Sequence, residues 1–164
     1  MILLGIDPGL AILGYGVIET DGHRLRLLQY GTVLTEAGTP MPERLKAIQT
    51  GVRNLIQLYK PDEIAFEELF FARNVTTALQ VGAARGAAII AAAEHTDNLY
   101  EYTPMQIKQA VTGYGKADKK QIQQMVKLLL NMEDIPKPDD AADGLAVAIT
   151  HAHTSHSKHL FKMK

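Results

Sequence analysis

The first 35 residues carry the pattern that most limits how this chain can fold. Apolar residues there form short β-type runs, and turn residues interrupt the runs at Asp7-Pro8-Gly9 and at Asp21-Gly22. From residue 42 the apolar spacing changes to three and four, which is typical of an amphipathic helix that ends near Tyr59. A chain that starts as a three-stranded meander and then becomes helical must use its helices to cover the sheet.

The rest of the chain alternates between strand and helix patterns. The predicted strands cover 2–7, 15–19, 24–35, 63–67 and 99–102, and the predicted helices cover 42–59, 75–94, 104–111, 119–130 and 140–153, with Asp139 or Asp140 capping the last one. This order predicts one α/β domain over residues 1–154. It contains a five-stranded mixed sheet, with the first three strands antiparallel and helices on both faces. The polar, basic residues 155–164 are expected to form a flexible tail.

Composition excludes several classes of protein. A chain of 164 residues can bury a core without a metal or disulfide staple. It has no cysteine, which excludes disulfides, zinc–thiolate sites and cysteine nucleophiles. The longest apolar run covers residues 86–93 and is far shorter than the ~20 residues that span a bilayer. The sequence also shows no basic leader, so we expect a cytoplasmic protein with no membrane contact.

The formal net charge of −1 argues against a polybasic nucleic-acid binder, but the charge is unevenly distributed. Residues 108–127 contain five lysines and one acid, Asp118. Residues 133–143 contain five acids and one lysine, Lys137. This distribution fits a site that binds both a cation and a polyanion, and it also fits an ordinary solvated surface.

Four carboxylates fall at the ends of predicted elements. Asp7 ends the first strand, Glu67 ends the fourth, and Asp140 and Asp143 share one face of the last helix in its first turn. Each one alone is typical of a turn, a solvated strand end or a helix cap. If the two strands are neighbours, the four acids meet at one end of the sheet and repel one another unless cations bind. Oxygen ligands suit Mg²⁺ or Mn²⁺, and two such ions about 4 Å apart can catalyse phosphoryl transfer.

Two further sequence features are open to a functional and a structural interpretation. Lys108 and Lys119 lie between the fifth strand and the acidic helix, where they could contact a phosphate or simply face solvent. The helix from residue 75 has few charges and carries small or apolar residues at Leu79, Gly82, Ala83 and Gly86. That helix could be buried against the sheet or form a two-fold contact between two copies of the chain.

Five motifs in this order resemble the RuvC family of crossover junction endodeoxyribonucleases. They are GIDPG at 5–9, FEELF at 66–70, NxxxALxxGxARG at 74–86, GYGKADK at 113–119 and DAADGLA at 140–146. The resemblance covers about residues 1–153 and implies a ribonuclease H-like fold. It also implies a homodimer that resolves four-way (Holliday) DNA junctions in recombination and repair. Two symmetric, metal-dependent nicks would leave 5′-phosphate and 3′-hydroxyl ends.

The resemblance also assigns roles to residues. Asp7, Glu67, Asp140 and Asp143 would be catalytic ligands of two Mg²⁺ ions, with Mn²⁺ as a substitute, and the catalytic lysines would be Lys108 and Lys119. Phe70 would stack on a base. The remaining DNA contacts are expected from Arg73, Asn74, Arg85, Lys116 and Lys120, in addition to the catalytic lysines, and the dimer contact from Leu79, Gly82, Ala83 and Gly86. A branch-migration helicase complex is the expected protein partner.

Two other functions stay open at this point. The first is a ribonuclease H-like nuclease that acts on RNA, as in ribosomal RNA processing. Phe70 and the lysine-rich loop from Gly113 argue against it. The second is a non-catalytic junction-binding module, which would need a damaged carboxylate set, whereas all four acids are present. His151 lies two turns after Asp143 and could face the same site, while Asp139 could cap the helix or support the ligands from outside.

Overall fold

The computed structural model describes residues 1–69 and 74–164. Its five strands are β1 (Ile2–Asp7), β2 (Ile12–Thr20), β3 (Leu25–Leu34), β4 (Glu63–Glu67) and β5 (Leu99–Tyr102). They form one sheet in the order β3-β2-β1-β4-β5. The first three strands are antiparallel, and β4 and β5 extend the sheet in parallel with β1. The predicted mixed sheet is therefore confirmed.

Helices cover both faces of this sheet. They are α1 (Met41–Tyr59), α2 (Val75–Ala93), α3 (Pro104–Thr112), α4 (Lys119–Leu129) and α5 (Asp139–His153), followed by a 3-10 helix at Lys158–Phe161. Side chains alternate along β1, so that Leu4 packs with α1 and α2 on one face, whereas Leu3 packs with α3, α4 and α5 on the other. The two cores give the predicted arrangement of helices on both faces.

Close packing of α5 on the sheet positions its N-terminal end. A Cβ atom on Gly5 would overlap the carbonyl group of Gly144, and one on Gly144 would lie 2.5 Å from the Cα atom of Tyr15. Only glycine allows the helix backbone to approach β1 and β2 so closely. The first turn of α5 consequently lies above the end of β1.

Helix α2 has one buried and one exposed side. Ala84, Ala88 and Ala92 are fully buried in the core that α2 shares with α1, whereas the Leu79 side chain is 70% exposed. Within the described parts of the chain, α2 is the one helix that has the length and composition to cross a membrane. An alanine-rich core helix of a globular protein can have the same length and composition, so this is weak evidence for membrane insertion.

The C-terminal segment contacts β5, and the flexible tail predicted over 155–164 stays a prediction. The ring of Phe161 lies 4.9 Å from that of Tyr102, centroid to centroid, and Lys162 forms an antiparallel bridge with Tyr100. The backbone N–H of Met163 donates a hydrogen bond to the carbonyl oxygen of Leu99. The segment thus covers the outer edge of the sheet, a role that one aromatic residue and a few backbone bonds can fill.

Candidate metal centre

Four acidic side chains meet where β1, β4 and α5 come together. Asp7, Asp140 and Asp143 each place a carboxylate oxygen so that the three atoms lie within 4.8 Å of one another. The carboxyl group of Glu67 lies beside that of Asp7, within hydrogen-bonding reach. The structure therefore brings together all four acids that the sequence analysis selects as ligands.

The local sequence explains how each acid reaches this point. Register Ile6↔Phe66 in the parallel β1–β4 pair places the following residues, Asp7 and Glu67, at the same end of the sheet. The N-cap of α5 is Pro138, without a side-chain capping bond, so the predicted cap at Asp139 or Asp140 is wrong. Because α5 begins before them, both aspartates belong to its first turn.

Asp139 lies outside the cluster. Its carboxylate accepts a 3.0 Å hydrogen bond from Nε2 of Gln123 and lies 3.5 Å from Nζ of Lys119. The same Nζ atom is 3.5 Å from a carboxylate oxygen of Asp143. Asp139 therefore contacts a lysine that also contacts the acidic cluster.

Burial and mutual repulsion make the cluster hard to ionise. Burial, followed by the neighbouring carboxylates of Glu67, Asp143 and Asp140, raises the pKa of Asp7 to about 9. Burial likewise raises the pKa of Glu67 and that of Asp143, although Lys119 opposes the shift at Asp143. An acid such as Asp7, which holds its proton at neutral pH, needs a compensating positive charge to act as a carboxylate. An oxygen-only donor set of this kind fits a hard divalent cation.

The two predicted lysines open onto the same space. Lys108 on α3 and Lys119 on α4 line a cavity of about 340 Å³ together with Glu67 and Asp143. Burial lowers the pKa of Lys119, but Asp143 and Asp139 outweigh this and raise it, so the ammonium group keeps its charge. The cavity therefore places two cationic groups opposite two potential metal ligands, as phosphate binding requires.

Capping boxes fix both lysine-bearing helices. The Thr103 side chain and Gln106 cap the N-terminus of α3 reciprocally, and Asp118 and Gln121 do the same for α4. Lys119 directly follows its cap. The two lysines thus lie on helices whose N-terminal ends are fixed by capping, although their own side chains are long.

The remaining predicted DNA contacts occupy several environments. Lys116 and Lys120 are exposed near the cavity. The side chain of Asn74 caps α2 by accepting hydrogen bonds from backbone N–H groups of its first turn. Arg85 pairs with Glu101 on β5 at 2.5 Å, and it lines a smaller cavity that also touches Asp7 and Glu67. Sequence reasoning missed Glu101, whose only signal is that it is the single acid in a four-residue strand.

Three other predicted positions lie away from the metal centre or outside the described residues. Phe70 and Arg73 lie outside the described residues. His151 does not face the acidic cluster: its Nε2 atom is 2.7 Å from a carboxylate oxygen of Glu63 at the start of β4, and its Nδ1 atom is 2.7 Å from the Tyr102 hydroxyl. Asp143 and His151 lie two helical turns apart on α5. Asp143 is therefore near the Glu67 end of β4, whereas His151 contacts Glu63 at the start of the strand.

Comparison with known proteins identifies close relatives along nearly the whole chain. The family model for crossover junction endodeoxyribonuclease RuvC matches residues 3–151. The RuvC protein of Alkaliphilus metalliredigens is 56% identical over 164 residues, covering 100% of both chains. The RuvC protein of Brevibacillus brevis is 59% identical over 152 residues, covering 93% of this chain and 92% of its own.

Solved structures show the same similarity. The chain superposes on T. thermophilus RuvC in complex with Holliday junction substrate with a TM-score of 0.90 and 40% sequence identity, covering 94% of each chain. The yeast mitochondrial Holliday junction resolvase Ydc2 gives a TM-score of 0.66 with 16% identity, covering 96% of this chain and 83% of the other. This second similarity is one of fold alone.

Proposed function

This chain belongs to the RuvC family of crossover junction endodeoxyribonucleases, and from that premise we propose how its acidic centre resolves four-way DNA junctions. The observation that carries the proposal is the meeting of four carboxylates at one end of the sheet with two lysines across the same cavity. The chain is an endonuclease of recombination and DNA repair. A nuclease specific for RNA and a non-catalytic module are not favoured, because the relatives are endodeoxyribonucleases and the acids are all present.

The acidic centre fits divalent metal ions, with Asp7, Glu67, Asp140 and Asp143 as ligands. We propose Mg²⁺, two ions per site, with Mn²⁺ as a substitute. When bound, the ions would neutralise the carboxylates and stabilise negative charge on the attacking and leaving oxygens of a phosphodiester. The raised pKa of Asp7 supports this assignment, because a buried acid gains most from a cation that replaces its proton.

The lysines act on the other side of the scissile phosphate. Lys108 and Lys119 bind its non-bridging oxygens and offset the charge that grows in the transition state. Oxygen from water bonds to phosphorus, the bond from phosphorus to the 3′-oxygen breaks, and that oxygen takes up a proton. The products are a 5′-phosphate and a 3′-hydroxyl. Phe70, Arg73, Asn74, Lys116 and Lys120 are proposed to hold the surrounding DNA.

The substrate has two strands to cut, which favours a homodimer. The proposed contact is the exposed side of α2, with Leu79, Gly82, Ala83 and Gly86. A Cβ atom at Gly86 would meet no atom of the described residues within 4 Å, so packing within one chain does not require glycine there. Because glycine weakens a helix by about 1 kcal/mol relative to alanine, its use at this position is explained by close approach of a second copy.

Two wider assignments complete the proposal. A branch-migration helicase complex is the proposed protein partner, since it would move the junction to a site that the enzyme can cut. The proposed location is the cytoplasm of a bacterium, or of a bacterium infected by a phage that encodes the protein.

A synthetic mobile four-way junction tests the proposed activity. With Mg²⁺, the wild-type protein should nick two strands of like polarity and leave ends that ligase can join. Asp7→Asn should abolish cleavage but retain junction binding, and Asp97→Asn, the same change at an exposed acid before β5, should leave both intact. Cleavage by Asp7→Asn at the wild-type rate would refute the proposed site. Nicking of folded RNA but not of the junction by the wild-type protein would refute the proposed substrate.

A further inference from the structure

A second cavity adjoins the one that holds the metal centre. It has a volume of about 420 Å³ and lies between the α3–α4 loop and the exposed side of α4. Ala117 and Asp118 line both cavities and form the wall between them. Its size falls in the range of about 300–1,000 Å³ that is typical of ligand sites. The metal ligands and the two catalytic lysines leave this space unused.

One wall of the second cavity is an aromatic ring on a rigid loop. Tyr114 is 56% exposed, and hydrogen bonds hold the loop around it. Its N–H donates to Oγ1 of Thr112 at 3.1 Å, and its carbonyl oxygen accepts from the N–H of Ala117 at 3.1 Å. The Gln109 amide donates to the carbonyl oxygen of Gly113 at 3.0 Å. Because these bonds hold the backbone of the loop, little backbone conformational entropy is lost when a flat ligand stacks on the exposed ring.

The other walls supply polar and cationic groups. Met125 is half-buried and gives an apolar floor, while Gln124 and Lys120 are exposed at the rim. Asp118, the single acid between residues 108 and 127, is already engaged, because its carboxylate accepts the N–H of Gln121 at 2.8 Å. Five lysines in the same stretch make the surroundings cationic. An aromatic face, an amide and a lysine together suit a nucleobase attached to a phosphate backbone.

We propose that this second cavity is a nucleobase subsite. It takes an unstacked base from the strand that carries the scissile phosphate, with the Tyr114 ring against the base and the Gln124 amide at its edge. The subsite rests on the proposed function, since a cut strand must lie in the neighbouring metal cavity for the base to reach it. Because an amide can read base edges, Gln124 would contribute to sequence preference at the cut.

Junction binding by a set of Tyr114 variants tests the subsite. In an Asp7→Asn background, which prevents cleavage, Tyr114→Ala should raise the junction Kd by about 5- to 150-fold, as expected for the loss of one base–aromatic stack. Tyr114→Phe keeps the ring and should bind within about twofold of the parent. Leu58→Ala removes an exposed apolar side chain from α1 and serves as the control.

Two readouts separate stacking from general weakening of DNA binding. Tyr114→Ala should leave the dependence of Kd on salt unchanged, whereas Lys116→Ala should reduce the slope by about one phosphate contact. A 2-aminopurine base beside the cut should change fluorescence on binding to the parent and to Tyr114→Phe, but not to Tyr114→Ala.

The possible outcomes test the subsite separately from the proposed function on which it rests. If the wild-type protein nicks the junction but Tyr114→Ala binds as tightly as the parent with the same fluorescence, the subsite is refuted and the function stands. If the wild-type protein neither binds nor nicks the junction, both are refuted. An unchanged melting temperature of Tyr114→Ala, expected for an exposed side chain, excludes misfolding as the cause of weak binding.

Discussion

Replacing Asp7 by asparagine should stabilise the metal-free protein while it abolishes cleavage. In the fold, burial and the carboxylates of Glu67, Asp143 and Asp140 raise the pKa of Asp7 to about 9. The unfolded chain releases the same proton near the ordinary value of 3.8. The acid therefore stays protonated in the folded state over a pH range in which the unfolded chain has already ionised.

The sign of the pH dependence follows from proton linkage. Below about pH 4 both states of Asp7 are protonated, and its shifted pKa has no effect on stability. Between about pH 4 and 9 the folded state binds more protons, so the free energy of unfolding falls by about 1.4 kcal/mol per pH unit. At pH 7 the loss reaches at most about 4 kcal/mol, and water at this partly exposed site reduces it. Asparagine does not ionise, so Asp7→Asn removes this contribution to the pH dependence of the free energy of unfolding.

Urea denaturation in EDTA at several pH values between about 5.5 and 8.5 measures the effect. At pH 7 we expect Asp7→Asn to exceed wild type in unfolding free energy by about 1–4 kcal/mol, with a weaker pH dependence. Mg²⁺ should narrow the gap, because ions stabilise the folded state that binds them. Asp97→Asn is the control and should match wild type. Equal or lower stability of Asp7→Asn in EDTA, with an unchanged pH slope, would refute the reasoning.

Three further predictions concern the fold and the substrate. Lys158→Met should lower the free energy of unfolding by about 1–3 kcal/mol, because it removes a bond to the buried Glu63 carboxylate. The control, Lys164→Met, should leave the free energy of unfolding unchanged. Equal losses in the two variants would refute the reasoning. Gly144→Ala should destabilise the fold by about 3 kcal/mol or more in thermal unfolding, because its Cβ would lie 2.5 Å from the Tyr15 backbone; a wild-type melting temperature would contradict this. Junction affinity, followed by titration at rising salt, should fall steeply, and a flat response would contradict the proposed lysine-rich binding surface.

The sheet could be predicted from local pattern, because alternation and turn residues are read within a few positions. The convergence of Asp7 and Glu67 needed one further condition, that β1 and β4 are neighbours, and the structure meets it. The approach of α5 was harder to foresee. It depends on Gly5 and Gly144 facing each other, two glycines separated by most of the chain that no local pattern connects.

Contacts between distant segments account for what the sequence pattern does not predict. From the sequence, His151 could face the acidic site, but in the structure its ring contacts Glu63, 88 residues earlier in the chain. In the C-terminal segment, Lys158 contacts the same buried carboxylate and Phe161 packs on Tyr102, and the polar composition of residues 155–164 does not indicate either contact. The distant residue that a side chain contacts decides where the side chain lies, and the periodicity of a single sequence does not show which residue that is.

The two ends of β4 and α5 together explain how an acidic cluster persists in the fold. At one end, Glu67 and Asp143 belong to a cluster whose members repel one another. At the other end, the buried His151 ring hydrogen-bonds through Nε2 to the Glu63 carboxylate and through Nδ1 to the Tyr102 hydroxyl, and burial lowers the pKa of the imidazole. These satisfied bonds fix α5 along β4 two turns from the cluster. Stabilisation at one end can thus hold the acids together at the other, where function requires local destabilisation.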